Sequence, residues 1–238
     1  MGPGMMSTGR RKPDASPLAP SARVLLEELV AHESGHAVAA VELLFDLEAV
    51  EVRLTEGRAC GLPSVSWIPA GETRSNASKV QPGNAGPGLM RKAATVALAG
   101  STARRMFSQR SDAEADWKQH EASDTSDAFR HLGLQGQMTV AQLISARKSR
   151  ATRRWEEGIE ASLEAVASEA RTLLARPPNW NGVLALAAAL LERVSGELVP
   201  IVGETPATVL SAGLSGDDAT RIVRAAQEGG PPTDPPPA

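Results

Sequence analysis

The sequence predicts a mainly helical domain of the α+β class that contains a small β-sheet. Of its 238 residues 42% are apolar, only 3% are aromatic, and tyrosine is absent. The core must therefore be built from Ala, Val and Leu, and both Ala and Leu are strong helix formers. Several long stretches repeat apolar residues every three or four positions, which is the period of an amphipathic helix. One short stretch alternates apolar and polar residues, as a half-buried strand does.

The first predicted helix begins at a capping Ser21 and ends near Phe45. The residues that follow alternate in the manner of a strand, with Val50, Val52 and Leu54 as the apolar members. A second extended segment is expected over 58–71, after a turn that contains glycine, and a polar loop over 70–87. The small sheet should therefore lie between the first and second helices.

Helical patterns dominate the rest of the chain. A second helix is expected over 89–107 and a third from about Asp124. A capping box that starts at Thr139 opens a long helix, which Pro177 ends because proline cannot continue a helix. A last helix should cover about 180–195.

The two ends of the chain are predicted to lie outside the folded domain, which spans 21–215. Residues 1–20 are rich in Gly, Pro and Ser and show no periodicity, so we expect a disordered N-terminal segment. Residues 216–238 finish in the run PPTDPPPA and are expected to form a flexible, proline-rich tail.

Charge and cysteine content exclude several classes of protein. The formal net charge of −3 gives no basis for nucleic-acid binding. The single cysteine, Cys60, cannot form an intrachain disulfide, which fits a reducing compartment. The most apolar stretch, VLALAAALLERV, is interrupted by Glu192 and is too short to span a bilayer. We therefore expect a cytoplasmic protein that binds neither nucleic acid nor membranes.

The stretch LVAHESGHAVAA places His32, Glu33 and His36 in an alanine-rich, apolar run. Burial of such groups is costly unless they are paired. On a helix the two histidines share one face, with Cβ atoms about 5–6 Å apart, so both ring nitrogens can reach one zinc ion. In such motifs the glutamate is not a ligand but takes a proton from zinc-bound water. The pattern predicts His32 and His36 as zinc ligands and Glu33 as general base; the alternative is a solvated helix face with two unrelated histidines.

Gly35 supports a buried position for this helix. A glycine in a helix interior costs about 1 kcal/mol relative to alanine. Its presence is explained if another backbone approaches closely at this point. We therefore expect a second element to pack directly against Gly35.

A catalytic zinc site needs a third protein ligand and an open position. The residues alone leave several candidates besides the downstream glutamates: His120, His131, Asp112, Asp116, Asp124 and Asp127. His120 and His131 are expected to be ordinary surface histidines. Asp124 follows a serine and has an alternative role as a helix N-cap.

Five segments, in order, resemble the FtsH-type peptidases, which are zinc-protease modules normally fused to an AAA ATPase. AHESGHAVAAVELL is similar to the HEAGH helix of that family, and EAVEVRLTEGRACG to the strand and turn that follow it. ATVALAGSTARRMF resembles its helix with a Gly-x-Ala-Ala-Glu element, and ASDTSDAFRHL the segment with the third ligand. LLARPPNWNGVLALAAALLERVSGEL resembles the paired helices that close the module.

The resemblance covers about 25–200 and implies a zincin-like HExxH helix with a C-terminal helical bundle. It implies Asp124 as the third zinc ligand, because Ala128 follows four residues later, with Asp127 as the alternative. Two departures are visible. Arg104 stands where the family usually has glutamate, and the sequence contains no Gly-Lys pair with which to build the phosphate loop of an ATPase.

The implied function is zinc-dependent endoproteolysis of peptides or of unfolded and flexible polypeptides. A separate unfoldase is then a candidate partner, and oligomerisation is left open. The strand at 50–55 or the extended segment at 60–68 would offer an edge for an extended substrate. The alternative function is a non-catalytic FtsH-peptidase-like module for binding or regulation. A third hypothesis, an HExxH peptidase with a glutamate ligand, finds only loose support at Ala113–Asp116.

Overall fold

A computed structural model describes residues 20–58, 65–108, 118–133, 150–199 and 207–229. The α-helices in these ranges are α1 (Pro20–Glu42), α2 (Pro87–Ser108), α3 (Lys118–His131), α4 (Arg150–Leu174), α5 (Pro177–Glu192) and α6 (Gly216–Gly229). The strands are β1 (Leu47–Arg58), β2 (Val65–Ser75), β3 (Ser195–Val199) and β4 (Ala207–Ser215). The prediction of a mainly helical α+β fold with a small sheet is confirmed.

Helix α1 lies at the centre of the molecule. Between Glu28 and Val41 every residue is buried except His36, which is partly exposed. A helix that is apolar around its whole circumference must be covered on all sides, and here α2, α5 and the hairpin β1–β2 cover it. A Cβ at Gly35 would lie 2.6 Å from Ala99 O and would overlap the Ala103 side chain. The predicted close approach at Gly35 is confirmed, and the partner is α2.

The sheet has four antiparallel strands in the order β2–β1–β4–β3. The predicted apolar face of β1 is buried, and Val50 and Val52 lie opposite Leu214 and Ala212 of β4. Strands β3 and β4 were not predicted: β4 pairs with β1, which is distant in the chain, and β3 is a five-residue strand at the edge of the sheet that pairs with β4. Since β1 is flanked on both sides, it offers no edge, and the expected edge at 50–55 is wrong; β2 is an edge strand.

Two predicted boundaries near the site are also wrong. The expected polar loop over 70–87 begins too early, because β2 continues to Ser75 and a 3₁₀ helix follows at Asn76–Lys79. The inward residues of this part of β2 are Gly71 and Thr73, so the strand has no apolar face for a pattern to show. Helix α3 begins at Lys118 rather than near Asp124.

The C-terminal part differs most from the prediction. Residues 216–229 form α6 and not the start of a flexible tail. Ser215 Oγ accepts a hydrogen bond from Asp218 N (3.2 Å), and the buried Ala219 and Val223 form an apolar stripe with helical spacing. Strands β3 and β4 lie between α5 and α6, so the C-terminal part is not made of helices alone.

Some predictions fall outside the described residues: the N-terminal segment 1–19, Cys60, the capping box at Thr139 and the last residues, 230–238. In the part of the chain that is described, no helix has both the length and the apolar character that crossing a membrane requires.

Candidate metal centre

Three side chains from two helices meet at the surface of α1. His32 Nε2 and His36 Nε2 are 3.2 Å apart, because residues four apart share one face of a helix. Asp124, from the middle of α3, places Oδ1 3.4 Å from His36 Nε2 and Oδ2 3.7 Å from His32 Nε2. The structure therefore brings together the two histidines and the aspartate that the resemblance implied.

The spacing of these atoms fits a zinc ion. Two ligands on a tetrahedral zinc, each about 2.0–2.1 Å from the metal, are about 3.3–3.4 Å apart. The two histidine nitrogens, 3.2 Å apart, match that value, and each lies near a different oxygen of Asp124, His36 at 3.4 Å from Oδ1 and His32 at 3.7 Å from Oδ2. Two imidazole lone pairs that face each other at 3.2 Å also repel unless a cation or a proton lies between them. The donor set, two imidazoles and one carboxylate, is of the type that holds catalytic zinc.

Helix α2 orients two of the ligands, His36 and Asp124, through hydrogen bonds. His36 Nδ1 lies 2.8 Å from Val96 O, and since a carbonyl only accepts, Nδ1 carries the proton. The Nε2 lone pair is then free for a metal, as in most histidine–metal sites. Ser101 N–H donates to Asp124 Oδ2 (3.0 Å). A Cβ at Gly100 would overlap the His36 ring, so this position of α2 requires glycine.

The charges of the cluster favour a cation at the histidines. Burial lowers the pKa of His36, but the Asp124 and Glu33 carboxylates and the Val96 carbonyl outweigh it and raise that pKa to about 9. Burial raises the pKa of Asp124, but His36, His32 and the Ser101 N–H outweigh it and hold that pKa below its ordinary value. Asp124 is therefore ionised at neutral pH. Without a metal, His36 is protonated on both ring nitrogens and carries a positive charge.

Glu33 lies beside the ligands and is only 2% exposed. Its Oε1 lies 3.9 Å from His32 Nε2, and its Oε2 accepts a hydrogen bond from Thr73 Oγ1 (2.7 Å). Burial raises its pKa to about 7, although His36 and the Thr73 hydroxyl act in the opposite direction. A carboxylate with a pKa near neutrality can both take and return a proton, which is the property of a general base.

The cluster opens into a cleft of about 200 Å³ between α1, β2 and α3. The cleft is lined by the four residues of the site, and also by Gly71 to Thr73 of β2: the four are His32, Glu33, His36 and Asp124. A larger concavity of about 930 Å³ lies over the outer face of the sheet, and the metal-ligand cluster does not line it. We take the smaller cleft as the functional site, because it contains the titratable groups with shifted pKa values.

The structure also tests other predictions for the candidate ligands. Asp127 lines the same cleft but is half exposed, pairs with Arg130 (3.0 Å) and lies outside the group of three ligand atoms. The alternative role of Asp124 as an N-cap is wrong, because it lies well inside α3. His131 is not a surface histidine: it is 2% exposed, its Nδ1–H donates to Val80 O (2.8 Å), and burial lowers its pKa.

The side chains of Asp112, Asp116 and His120 lie outside the described residues. Three residues that orient the ligands and the base were not predicted from the sequence, namely Val96, Ser101 and Thr73. Two of these act through backbone atoms, and Thr73 acts across a strand-to-helix contact, so no local pattern could have identified them.

Arg104, which stands where the resembled family usually has glutamate, contacts a carboxylate on α1. Arg104 Nη1 lies 4.0 Å from Oε2 of Glu28, which is fully buried one turn before His32. Ser108 Oγ donates to the other oxygen of Glu28 (2.8 Å). The arginine therefore faces a carboxylate on α1 and does not enter the metal cluster.

No protein-family model and no curated protein matches this chain. The function must therefore be argued from the chemistry of the site. Its decisive features are the convergence of three ligand atoms, from His32, His36 and Asp124, within 4.8 Å of one another and the buried carboxylate of Glu33 beside them.

Proposed function

We propose that this protein is a zinc-dependent metalloendopeptidase of the FtsH type. The observation that carries the proposal is the convergence of His32, His36 and Asp124 beside Glu33 in one cleft. If the two histidines on α1 were unrelated, we would not expect a buried aspartate from α3 to lie beside both of them. The zincin-like character of α1, the C-terminal helical bundle and a cytoplasmic location belong to the same proposal.

In this proposal His32, His36 and Asp124 hold the zinc ion. When bound, zinc supplies a Lewis acid that polarises a peptide carbonyl and lowers the pKa of a water molecule. Glu33 takes the proton of the attacking water on its carboxylate and returns it to the nitrogen of the departing amine. Without metal its pKa is about 7, and a zinc ion beside it would lower that pKa and favour the ionised form that accepts a proton. The Val96 carbonyl keeps His36 in the tautomer that presents Nε2 to the ligand set.

The expected substrates are peptides and unfolded or flexible polypeptides. Strand β2 is an edge of the sheet, and its residues Gly71 to Thr73 line the cleft. An extended chain can add to such an edge through backbone hydrogen bonds, whereas a folded domain does not fit a cleft of about 200 Å³. For folded substrates we propose a separate unfoldase as partner.

The alternative is a non-catalytic module that binds zinc or a peptide without hydrolysis. Both proposals include the same metal cluster, and they differ in whether the bound peptide is hydrolysed. Activity measurements, rather than metal content, therefore separate the two proposals.

The test combines zinc analysis with proteolysis. The purified protein, loaded with zinc, should contain one zinc per chain and cleave casein or members of a quenched fluorescent peptide library. The Glu33→Gln variant should keep zinc but lose proteolysis, whereas the exposed control Glu160→Gln should match the wild type. Full proteolysis by Glu33→Gln would refute the mechanism. One bound zinc without cleavage of any substrate would favour the binding module, and absence of zinc binding would refute the metal site.

A further inference from the structure

Strand β2 contacts the general base of the proposed reaction directly. Successive strand residues point to opposite faces, so Gly71 and Thr73 both face α1 while Glu72 points away and is largely exposed. Thr73 Oγ1 lies 2.7 Å from Glu33 Oε2 and 3.1 Å from Glu33 O. A Cβ at position 71 would overlap the Glu33 carboxylate. The two inward residues thus shape the space that this carboxylate occupies.

The hydroxyl of Thr73 determines which carboxylate oxygen is free. The hydroxyl has a single hydrogen, and of the two Glu33 oxygens within reach Oε2 at 2.7 Å is nearer than the backbone O at 3.1 Å. Among the described residues, Thr73 is the one whose side chain donates a hydrogen bond to the Glu33 carboxylate. The other oxygen, Oε1, lies on the side of His32, 3.9 Å from its Nε2. Threonine is stiff at χ1, so the strand sets the position of its hydroxyl with little freedom. Without this bond, the Glu33 side chain would retain its rotation about its terminal torsion.

We propose that Thr73 is a positioning residue for Glu33. Its hydroxyl holds Oε2, and thereby directs Oε1 toward the ligand cluster, where a proton must be taken. The absence of a side chain at Gly71 leaves the room that this orientation needs. The inference rests on the proposed peptidase function and adds a residue to it.

A merely structural role for Thr73 makes a different prediction. If Thr73 only packed β2 against α1, the isosteric Thr73→Val would be tolerated and Thr73→Ser, which loses a methyl group, would be worse. If the hydroxyl positions the base, Thr73→Ser should be the more active of the two variants. Thr73→Ser keeps the donor and should retain most of the activity, whereas Thr73→Val removes it.

The experiment measures kcat, KM, zinc content and thermal unfolding for both variants, with Thr55→Val on the neighbouring strand β1 as the control. For Thr73→Val we expect kcat to fall about 10- to 100-fold, the effect of removing a residue behind an active group, with KM and zinc content unchanged. Thr73→Ser should recover most of this loss. A peptide hydroxamate is an inhibitor that would share a proton with Glu33 in the zinc-loaded protein. It should therefore bind Thr73→Val more weakly than Thr73→Ser.

The outcomes separate this inference from the proposed function. An active wild type with unchanged kcat and hydroxamate affinity in Thr73→Val overturns the inference alone. A wild type that cleaves no substrate overturns the proposed function and the inference with it. If Thr73→Val fails to fold, Thr73→Ala, which adds no methyl group next to the carboxylate, is compared with Thr73→Ser in the same way.

Discussion

Helix α1 carries two buried carboxylates in different surroundings. Glu28 is fully buried, accepts a hydrogen bond from Ser108 Oγ (2.8 Å) and lies 4.0 Å from Arg104 Nη1. Glu33 is 2% exposed, accepts a hydrogen bond from the neutral Thr73 hydroxyl and borders a cleft with the histidines. The first carboxylate belongs to a closed contact between α1 and α2, and the second belongs to an open site.

The comparison shows that burial of a charge does not by itself mark a functional residue. A buried carboxylate that faces an arginine has its charge balanced inside the protein, and such pairs are common structural contacts. Glu33 has no arginine or lysine partner among the described residues, and burial raises its pKa to about 7. A raised pKa combined with access to a cleft is what makes a carboxylate available for proton transfer.

The largest expected difference is between Glu33→Gln and Glu28→Gln. Loss of the general base should reduce turnover by about 10²- to 10⁴-fold while the free energy of unfolding stays near the wild-type value. Glu28→Gln should instead lower the free energy of unfolding by about 3 kcal/mol, because it removes the negative charge that faces Arg104 in the buried contact between α1 and α2. Peptide cleavage and chemical denaturation measure the two effects. Equal losses of stability in both variants would remove the distinction between the two carboxylates.

Asp124→Asn and Asp127→Asn compare two aspartates one turn apart on α3. Asp124→Asn should weaken zinc binding by more than about 100-fold, since even residues behind metal ligands contribute about 10- to 100-fold. Asp127→Asn should leave zinc affinity unchanged, because Asp127 pairs with Arg130 at the rim. Competition with a chelator of known affinity measures both values. The reverse order would identify Asp127 as the ligand.

Two glycines at the contact of α1 and α2 separate stability from metal binding. A Cβ at Gly35 would meet Ala99 O at 2.6 Å, so Gly35→Ala should cost about 1–3 kcal/mol of unfolding free energy through overpacking. A Cβ at Gly100 would overlap the imidazole of His36. Gly100→Ala should therefore weaken zinc binding by about 10-fold, as loss of ligand orientation does. Calorimetric unfolding and chelator competition measure the effects, and wild-type zinc affinity in Gly100→Ala would contradict the packing at His36.

The smallest expected effect is a proton released on zinc binding. Without metal, His36 has a pKa of about 9 and is protonated at pH 7, whereas a ligand imidazole must be unprotonated. Zinc binding at pH 7 should therefore release about one proton from His36, and zinc affinity should rise with pH until the pH passes about 9. Asp124 adds no proton, because its lowered pKa leaves it ionised already. Titration calorimetry in buffers of different ionisation enthalpy counts the protons; the same count at pH 7 and pH 10 would contradict the expectation.

The regions of the fold that the sequence predicted well are those with a local pattern of apolar residues. Helices α1 and α2 contain long runs of mostly apolar, small residues that are buried on all sides, and β1 alternates buried and exposed residues, so a short window reveals all three. Strand β4 pairs with β1, which is distant in the chain, and β3 is a short strand that pairs with β4 at the edge of the sheet. Helix α6 was hidden because a proline-rich run follows it.

The candidate site divides in the same way. By itself, the sequence determined the positions of His32, Glu33 and His36, because helical geometry places residues four apart on one face. It also indicated the close packing at Gly35. Only the tertiary structure decided that Asp124, and not Asp127, approaches both histidines, and that Thr73 contacts Glu33. These two decisions required α3 and β2 to pack against α1, and such packing depends on the whole fold rather than on any local spacing.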